Sequence, residues 1–278
     1  MQISCLPVSL FNDIISGSMS LKEWARAGRQ AGLDAIDLSM LFIKAHTPVY
    51  LQEIRKEIEE ESMTVAMITT YPDFSHPDRL QRERELEYLR ADIAVASYMG
   101  ACYLRVTAGQ AHPETTMDSG INWVTENFKL ACETACKHNV TLVFENHAKP
   151  GAWDYIDFSH PTDIFLEILE RTKDIDLRVN FDTANTIAYG DDPLPVLEKI
   201  IHRVETIHAA DTSTRGLLTH TAIGTGLVPF EEIFSILKKT GYDGWICIEE
   251  GSNRGTDGIS EAAAYIREEW QKSKVTKC

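Results

Sequence analysis

Leu177 to Gly190 reads LRVNFDTANTIAYG. Its first five residues, Leu177 to Phe181, alternate apolar and polar, the period-two pattern of a strand. The strand stops on Asp182, and a loop of small residues is expected after it. A carboxylate at the carboxyl end of a strand, facing an open loop, is where parallel α/β proteins place their chemistry. Three more stretches end in the same way: Thr141 to Glu145 (TLVFE), Val204 to His208 (VETIH) and Trp245 to Glu249 (WICIE). Four successive strands thus each deliver one metal-type ligand to one rim.

Working outward, strand and helix signals alternate along the whole chain. The other strands are expected at Ile3 to Pro7, Ala35 to Leu38, Val65 to Thr69 and Cys102 to Val106. Ser20-Leu21-Lys22-Glu23 is a capping box for a helix closed by Gly32. Thr47-Pro48 opens a helix with proline at its first position, and a long helix from Pro77 to Met99 stops at Gly100. Further helices are expected from Ser119 to His138, from Ser159 (as N-cap, with Pro161 just inside) to Arg171, and from Asp191-Asp192-Pro193 to His202. The last two run from Pro229 to Thr240 and from Ser260 to Lys272. Eight strand–helix units in ~250 residues are the count and size of an α/β (β/α)8 TIM barrel. No linker-like stretch divides residues 1–278, so one domain is expected. The competing architecture is a doubly wound open sheet, but no GxGxxG follows the first strand, which speaks against a dinucleotide site.

The bulk properties narrow the function. A formal net charge of -15 repels a phosphate backbone, so no nucleic-acid partner is expected. No apolar run nears the ~18 residues of a membrane span. No basic leader with an apolar core opens the chain, so a cytoplasmic location is expected. The six cysteines form no CxxC pair and read as reduced core thiols.

Residues two apart on a strand share a face. If Asp182 and Glu249 face the barrel interior, so do Asn180 and Arg178, and Cys247 and Trp245; Ile246 and Ile248 then face the helices. Glu145, Asp182, His208 and Glu249 gathered at one rim are three mutually repelling carboxylates and an imidazole. A divalent cation resolves that repulsion, and an oxygen-rich set with one imidazole suits Mn²⁺, Mg²⁺ or Co²⁺, with Zn²⁺ as a further option. Arg105, in an apolar strand, reads as an interior pairing partner. His147 and His220 can contact substrate hydroxyls, and Trp153, Tyr71 and Phe74 sit in rim loops where aromatics cover a sugar face. His46 and His112 are loop residues with weaker claims.

The segments FENH (Phe144 to His147), FDTAN (Phe181 to Asn185), IHAAD (Ile207 to Asp211), IGTG (Ile223 to Gly226) and GYDGWICIEE (Gly241 to Glu250) resemble the xylose isomerase-like TIM barrels. Within that superfamily the chain is similar to the sugar phosphate isomerase/epimerase group. The resemblance covers nearly the whole chain and is strongest after Thr141. It implies one divalent metal, most often manganese, held by Glu145, Asp182, His208 and Glu249. Glu145 and Glu249 would then be the catalytic acid/base pair, acting on a keto-sugar or keto-inositol through a metal-bound enediolate. Asn185 stands where the family often has the histidine of DTxH, so substrate contact there is altered. The family's substrate-binding arginine falls near Arg215. Relatives are often dimers or tetramers, which leaves a homo-oligomer open.

Three other functions compete. A phosphodiesterase resembling endonuclease IV needs additional His and Asp ligands, which Asn185 and Leu218 do not supply. A lyase that dehydrates an inosose or dehydroshikimate shares the first proton abstraction and differs in the leaving-group step. A non-catalytic sugar-binding barrel has no use for an intact ligand set.

Overall fold

A computed structural model describes residues 1–149, 151 and 153–273. Its eight strands are β1 (Gln2–Leu6), β2 (Ile36–Ser39), β3 (Val65–Thr69), β4 (Tyr103–Val106), β5 (Thr141–Glu145), β6 (Leu177–Asp182), β7 (Val204–Ala209) and β8 (Trp245–Glu249). Neighbours pair in parallel in the order β1-β8-β7-β6-β5-β4-β3-β2, with helices between them. The seam between β1 and β2 carries no strand ladder but is stitched locally. The Asp34 amide donates to the Ile3 carbonyl at 2.8 Å, the Ile3 amide to Asp34 Oδ2 at 2.8 Å, and Ser4 Oγ to Asp37 Oδ2 at 2.7 Å. The result is a nearly closed, single-domain TIM barrel.

The alternation along the strands divides the core into two zones. Met67, Val143 and Cys247 pack together inside the barrel, with Tyr103 and Trp245 against them. Ile246, Ile248, Phe144, Phe181 and Ile207 belong to the larger cluster between strands and helices. Phe128, Phe144 and Phe165 run through that zone with ring centres 5.0 Å apart at each step. Arg178 departs from the interior expectation. It lies near the amino end of β6, just before a register irregularity between Val179 and Asn180, and its exposed guanidinium pairs with Asp176 at 3.0 Å. Among the described residues the cysteines Cys5, Cys102, Cys132, Cys136 and Cys247 are free thiols. No described helix is long and apolar enough to cross a membrane.

The helix boundaries follow local capping chemistry. Ser20 and Glu23 form both arms of the capping box at the head of Leu21–Gln30. The long helix starts at Arg79, two residues later than expected, because the Asp78 carboxylate takes the Leu80 amide and so sets the cap. Ser159 does not cap the helix Thr162–Arg171. Its amide and hydroxyl both donate to Asp157 Oδ1, at 2.7 and 2.6 Å, and Pro161 takes the N-cap place. The expected loop after Asp182 is instead a short helix, Asn185–Tyr189, and a second one, Phe11–Ser16, follows β1. The last helix begins at Gly255, ahead of Ser260.

Asp37, on β2, is fully buried and also accepts from the Met67 amide at 3.1 Å. Burial pushes its carboxyl up to about 6, outweighing the hydrogen bonds that favour the anion. The folded state therefore holds the proton more tightly than the unfolded chain, where aspartate titrates near ~3.9. The associated stability is present in full below about pH 4 and is lost as the pH rises through about 6; two pKa units correspond to roughly 3 kcal/mol. Asp37→Asn keeps an acceptor for Met67 and removes the charge. Urea denaturation across about pH 4 to 8 should show the variant gaining on the parent with rising pH, by about 2–3 kcal/mol. A stability difference that does not vary with pH would contradict this account of Asp37.

Candidate metal and substrate site

The strand register sets the site. Asp182 on β6 lies beside His208 on β7, His208 lies beside Cys247 on β8, and Glu249 is two residues further along the same face. Glu145 on β5 lies beside Asn180. One ligand atom each from Glu145, Asp182, His208 and Glu249 lies within 4.8 Å of all the others. Three of the four side chains are fully enclosed, and only Glu249 retains some exposure.

Each ligand is held from behind. The Asp182 carboxylate accepts the Ala184 and Asn185 amides on Oδ1, at 2.8 and 2.6 Å, which leaves Oδ2 buried without a partner among the described residues. Asn146 clamps the strand end: its Oδ1 accepts the Asp182 amide at 2.8 Å, and its Nδ2 donates to the Asp182 carbonyl at 2.9 Å and to Thr186 Oγ1 at 3.1 Å. His208 Nδ1 faces Glu145 Oε1 at 2.8 Å and Glu249 Oε2 at 3.2 Å. Arg105 Nε lies 2.9 Å from Glu145 Oε2, an ion pair without hydrogen-bond alignment, and its guanidinium stacks 4.5 Å from the centre of the Tyr71 ring.

The electrostatics follow from burial and charge count. Burial pushes every one of these carboxyls up. For Glu145 the His208 and Arg105 charges outweigh it and hold the group below its usual range. For Glu249 the hydrogen bond and charge of His208 outweigh it, down to about 2. Asp182 lacks that compensation; burial and the Glu249 and Glu145 charges raise it well above the ordinary value. His208 is held protonated by the two glutamates against the burial that opposes its charge. The protein thus balances three carboxylates with Arg105 and two protons. A divalent cation in place of those protons closes the same balance, with a neutral His208 and an ionised Asp182 whose Oδ2 gains a partner. The donor set, one imidazole and carboxylate oxygens, fits such an ion.

Above this floor opens a cavity of 450 Å³, with Glu249, Asn185, His147, His220, Trp153, Tyr71 and Arg105 in its wall. His147 sits 3.7 Å from Asp157 and between the rings of Tyr71 and Trp153, at 6.3 and 6.2 Å. Burial and the Arg105 charge depress its pKa to about 4, so it stands neutral. Asn185 Oδ1 and the Nδ1 atoms of His147 and His220 are buried without hydrogen-bond partners among the described residues.

The sequence match to known families is decisive at this point. Residues 25–269 match the family model described as xylose isomerase-like TIM barrel. This chain belongs to the xylose isomerase-like TIM barrels. A Streptomyces coelicolor protein assigned as a hydroxypyruvate isomerase is 26% identical over 248 residues, covering 85% of this chain and 87% of the relative. The inosose dehydratase of Clostridium tetani is 22% identical over 203 residues, covering 66% of each. Among solved structures, an L-ribulose 3-epimerase superposes with a TM-score of 0.78 at 18% identity, covering 98% of this chain and 96% of its own.

Other expected site residues of this xylose isomerase-like barrel fall elsewhere. The Arg215 guanidinium donates to the carbonyls of Gly190 and Asp191, at 3.1 and 2.9 Å, and is not part of the cavity wall. Phe74 is no rim aromatic: its amide is tied to the Ala108 carbonyl and its ring is buried against Phe128. His112 pairs with Asp73 at 2.8 Å, and His46 is exposed, outside the cavity wall. Asp211 of the IHAAD segment is structural. Its carboxylate accepts the amides of Thr212, Gly224, Gly226 and Val228 and so folds the IGTG loop; a Cβ at Gly226 would lie 2.3 Å from it. Asn146 and Asp157 went unassigned in the sequence. Asn146, a polar residue between two candidate site residues at a strand end, carried a readable signal; Asp157, ten residues beyond His147, did not.

Proposed function

We propose that this barrel is a divalent-cation-dependent isomerase or epimerase of keto-sugars or keto-polyols, with Mn²⁺ as its resident ion and Glu145 and Glu249 as its acid/base pair. The observation that carries the proposal is the convergence of four ligand side chains beside a cavity, with Asp182 Oδ2 and His208 Nε2 buried without hydrogen-bond partners among the described residues. When bound, the cation supplies Lewis acidity to a carbonyl and its neighbouring hydroxyl, which acidifies the adjoining C–H. Glu145, Asp182, His208 and Glu249 would hold it.

The remaining steps belong to the chain. Glu249 is the ligand that lines the cavity, is ionised, and can accept the proton from the α-carbon. Glu145, kept ionised by Arg105, is the second proton carrier, and return of a proton to the opposite face or the neighbouring carbon gives epimerisation or isomerisation. Positioned carboxylates contribute roughly 10²–10⁴-fold in such transfers. Asn185, His147 and His220 offer polar atoms to the substrate hydroxyls, while Tyr71 and Trp153 narrow the entrance. Arg215 enters this reading only if its loop swings from the Gly190 and Asp191 carbonyls towards the cavity.

The deciding experiment is a screen of keto-sugars and keto-inositols in D₂O with Mn²⁺, followed by mass spectrometry. Deuterium gain without loss of mass supports the proposal. Loss of water moves the assignment to a dehydratase on the same site, the reading favoured by the inosose dehydratase relative. Neither change leaves a binding protein. Metal content of the purified protein identifies the ion. Saturating Mn²⁺, at about 1,000 times its dissociation constant, should stabilise the metal-free protein by about 4 kcal/mol. For a chain of this size that raises the melting temperature by about 10 °C, and His208→Ala should abolish the rise.

A further inference from the structure

Two enclosed polar atoms face each other beside the cavity. Asp157 lies in the segment after β5, and its backbone is fixed on both sides: its amide donates to the Ala148 carbonyl at 2.8 Å, and the Phe158 amide donates to the Gly109 carbonyl at 2.7 Å. Its Oδ1 accepts the Ser159 amide and hydroxyl, at 2.7 and 2.6 Å. Its Oδ2 lies 3.7 Å from His147 Nδ1, and both atoms are buried without hydrogen-bond partners among the described residues. One proton between them satisfies both. Such bonds are often long in a site without its substrate.

Burial and charge decide which side supplies that proton. Asp157 is wholly enclosed, at 0% exposure, and no lysine or arginine forms an ion pair with it among the described residues. An enclosed, unpaired anion is costly, and the group takes up a proton instead. Burial accordingly pushes the Asp157 carboxyl well above the ordinary value, against the two Ser159 bonds. His147 stays neutral under its own burial and the Arg105 charge. A neutral acid facing a neutral imidazole donates from Oδ2 to Nδ1, which leaves the proton of the imidazole on Nε2. His147 lines the cavity, and Nε2 is neither enclosed nor hydrogen-bonded, so it is the nitrogen open to the cavity.

We infer that Asp157 is a positioning residue acting as an uncharged acid: it holds His147 by Nδ1 and makes the ring a neutral hydrogen-bond donor to the cavity. Such a donor takes a carbonyl oxygen, or the oxyanion that grows from it on proton loss. An anionic Asp157 would give the opposite tautomer, with Nε2 as an acceptor. The inference rests on the proposed function only for what the donor meets.

The test uses the full chain, labelled with heavy nitrogen and loaded with Mg²⁺, a diamagnetic ion. Long-range proton–nitrogen NMR at about pH 8 reads which nitrogen of His147 carries the proton, and His147→Gln assigns the signal. The parent should carry it on Nε2. Asp157→Asn should show the same tautomer, because its Oδ1 stays on Ser159 and its amide donates where the acid did. Asp157→Leu, with no donor, should show a mixture of tautomers. Exchange is then measured in D₂O with Mn²⁺ on D-fructose, L-ribulose and 2-keto-myo-inositol. For any compound the parent exchanges, Asp157→Leu should lose about tenfold in kcat/KM, the scale of one buried hydrogen bond, and Asp157→Asn should restore it to within about threefold. A thermal scan reads the fold. A parent proton on Nδ1 that moves to Nε2 in Asp157→Asn makes Asp157 an anion and overturns the inference. A tautomer or an exchange rate left unchanged by Asp157→Leu overturns it too. If Asp157→Leu does not fold, the spectra of the parent and Asp157→Asn decide alone. A parent that exchanges none of the compounds overturns the proposed function, and the spectra still decide the pair.

Discussion

Glu249→Gln is expected to fold as the parent does and to lose at least 10²–10⁴-fold in turnover, the range for a positioned proton carrier. The side chain keeps its shape and its place at the end of β8, and among the described residues its carboxylate faces the His208 ring rather than a backbone amide. What disappears is the anion that lines the cavity, held at a pKa of about 2 by His208. Deuterium wash-in to a turned-over keto-sugar reads the loss, and a thermal scan reads the fold. Full exchange in the variant would move the base to another residue. A rise in KM with unchanged kcat would show that Glu249 only binds.

The second large effect concerns stability. Arg105→Met, in the metal-free protein, is expected to cost about 3–5 kcal/mol, because removing one partner of an enclosed pair leaves the other charge uncompensated. Arg105 and Glu145 are almost wholly shielded from solvent, at 2% and 0% side-chain exposure, and no other guanidinium lies against the ligand carboxylates among the described residues. The Tyr71 stacking contact is lost with it. Adding Glu145→Gln should recover much of the deficit, since the double variant no longer encloses an unpaired anion. Urea denaturation of the four members of the cycle measures the coupling. Strictly additive effects would mean that Arg105 stabilises by packing alone.

The two variants probe opposite sides of one charge balance. Arg105 lets β5 carry a glutamate in the interior, and Glu249 faces the space where a substrate would stand. The same balance explains why a divalent ion, rather than a third proton carrier, suits the centre of the set.

Sequence by itself determined the barrel and its rim. Apolar periodicity and capping are local, so β3, β5 and β6 were legible to the residue, and parallel order alone sends Glu145, Asp182, His208 and Glu249 to one end. Arg105, a lone cation in an apolar strand, announced a buried partner in the same way. Tertiary structure decided what contacts between distant segments control. Asp157 takes Ser159 from its helix, the Gly190 and Asp191 carbonyls take Arg215 from the cavity, and Phe128 draws Phe74 into the core. The cavity lining joins Ile15 from the short helix after β1, Leu41 from the turn after β2 and Leu218 from the loop after β7, segments far apart in the chain. No local pattern encodes such a meeting, because a loop's path is set by the surface it packs on.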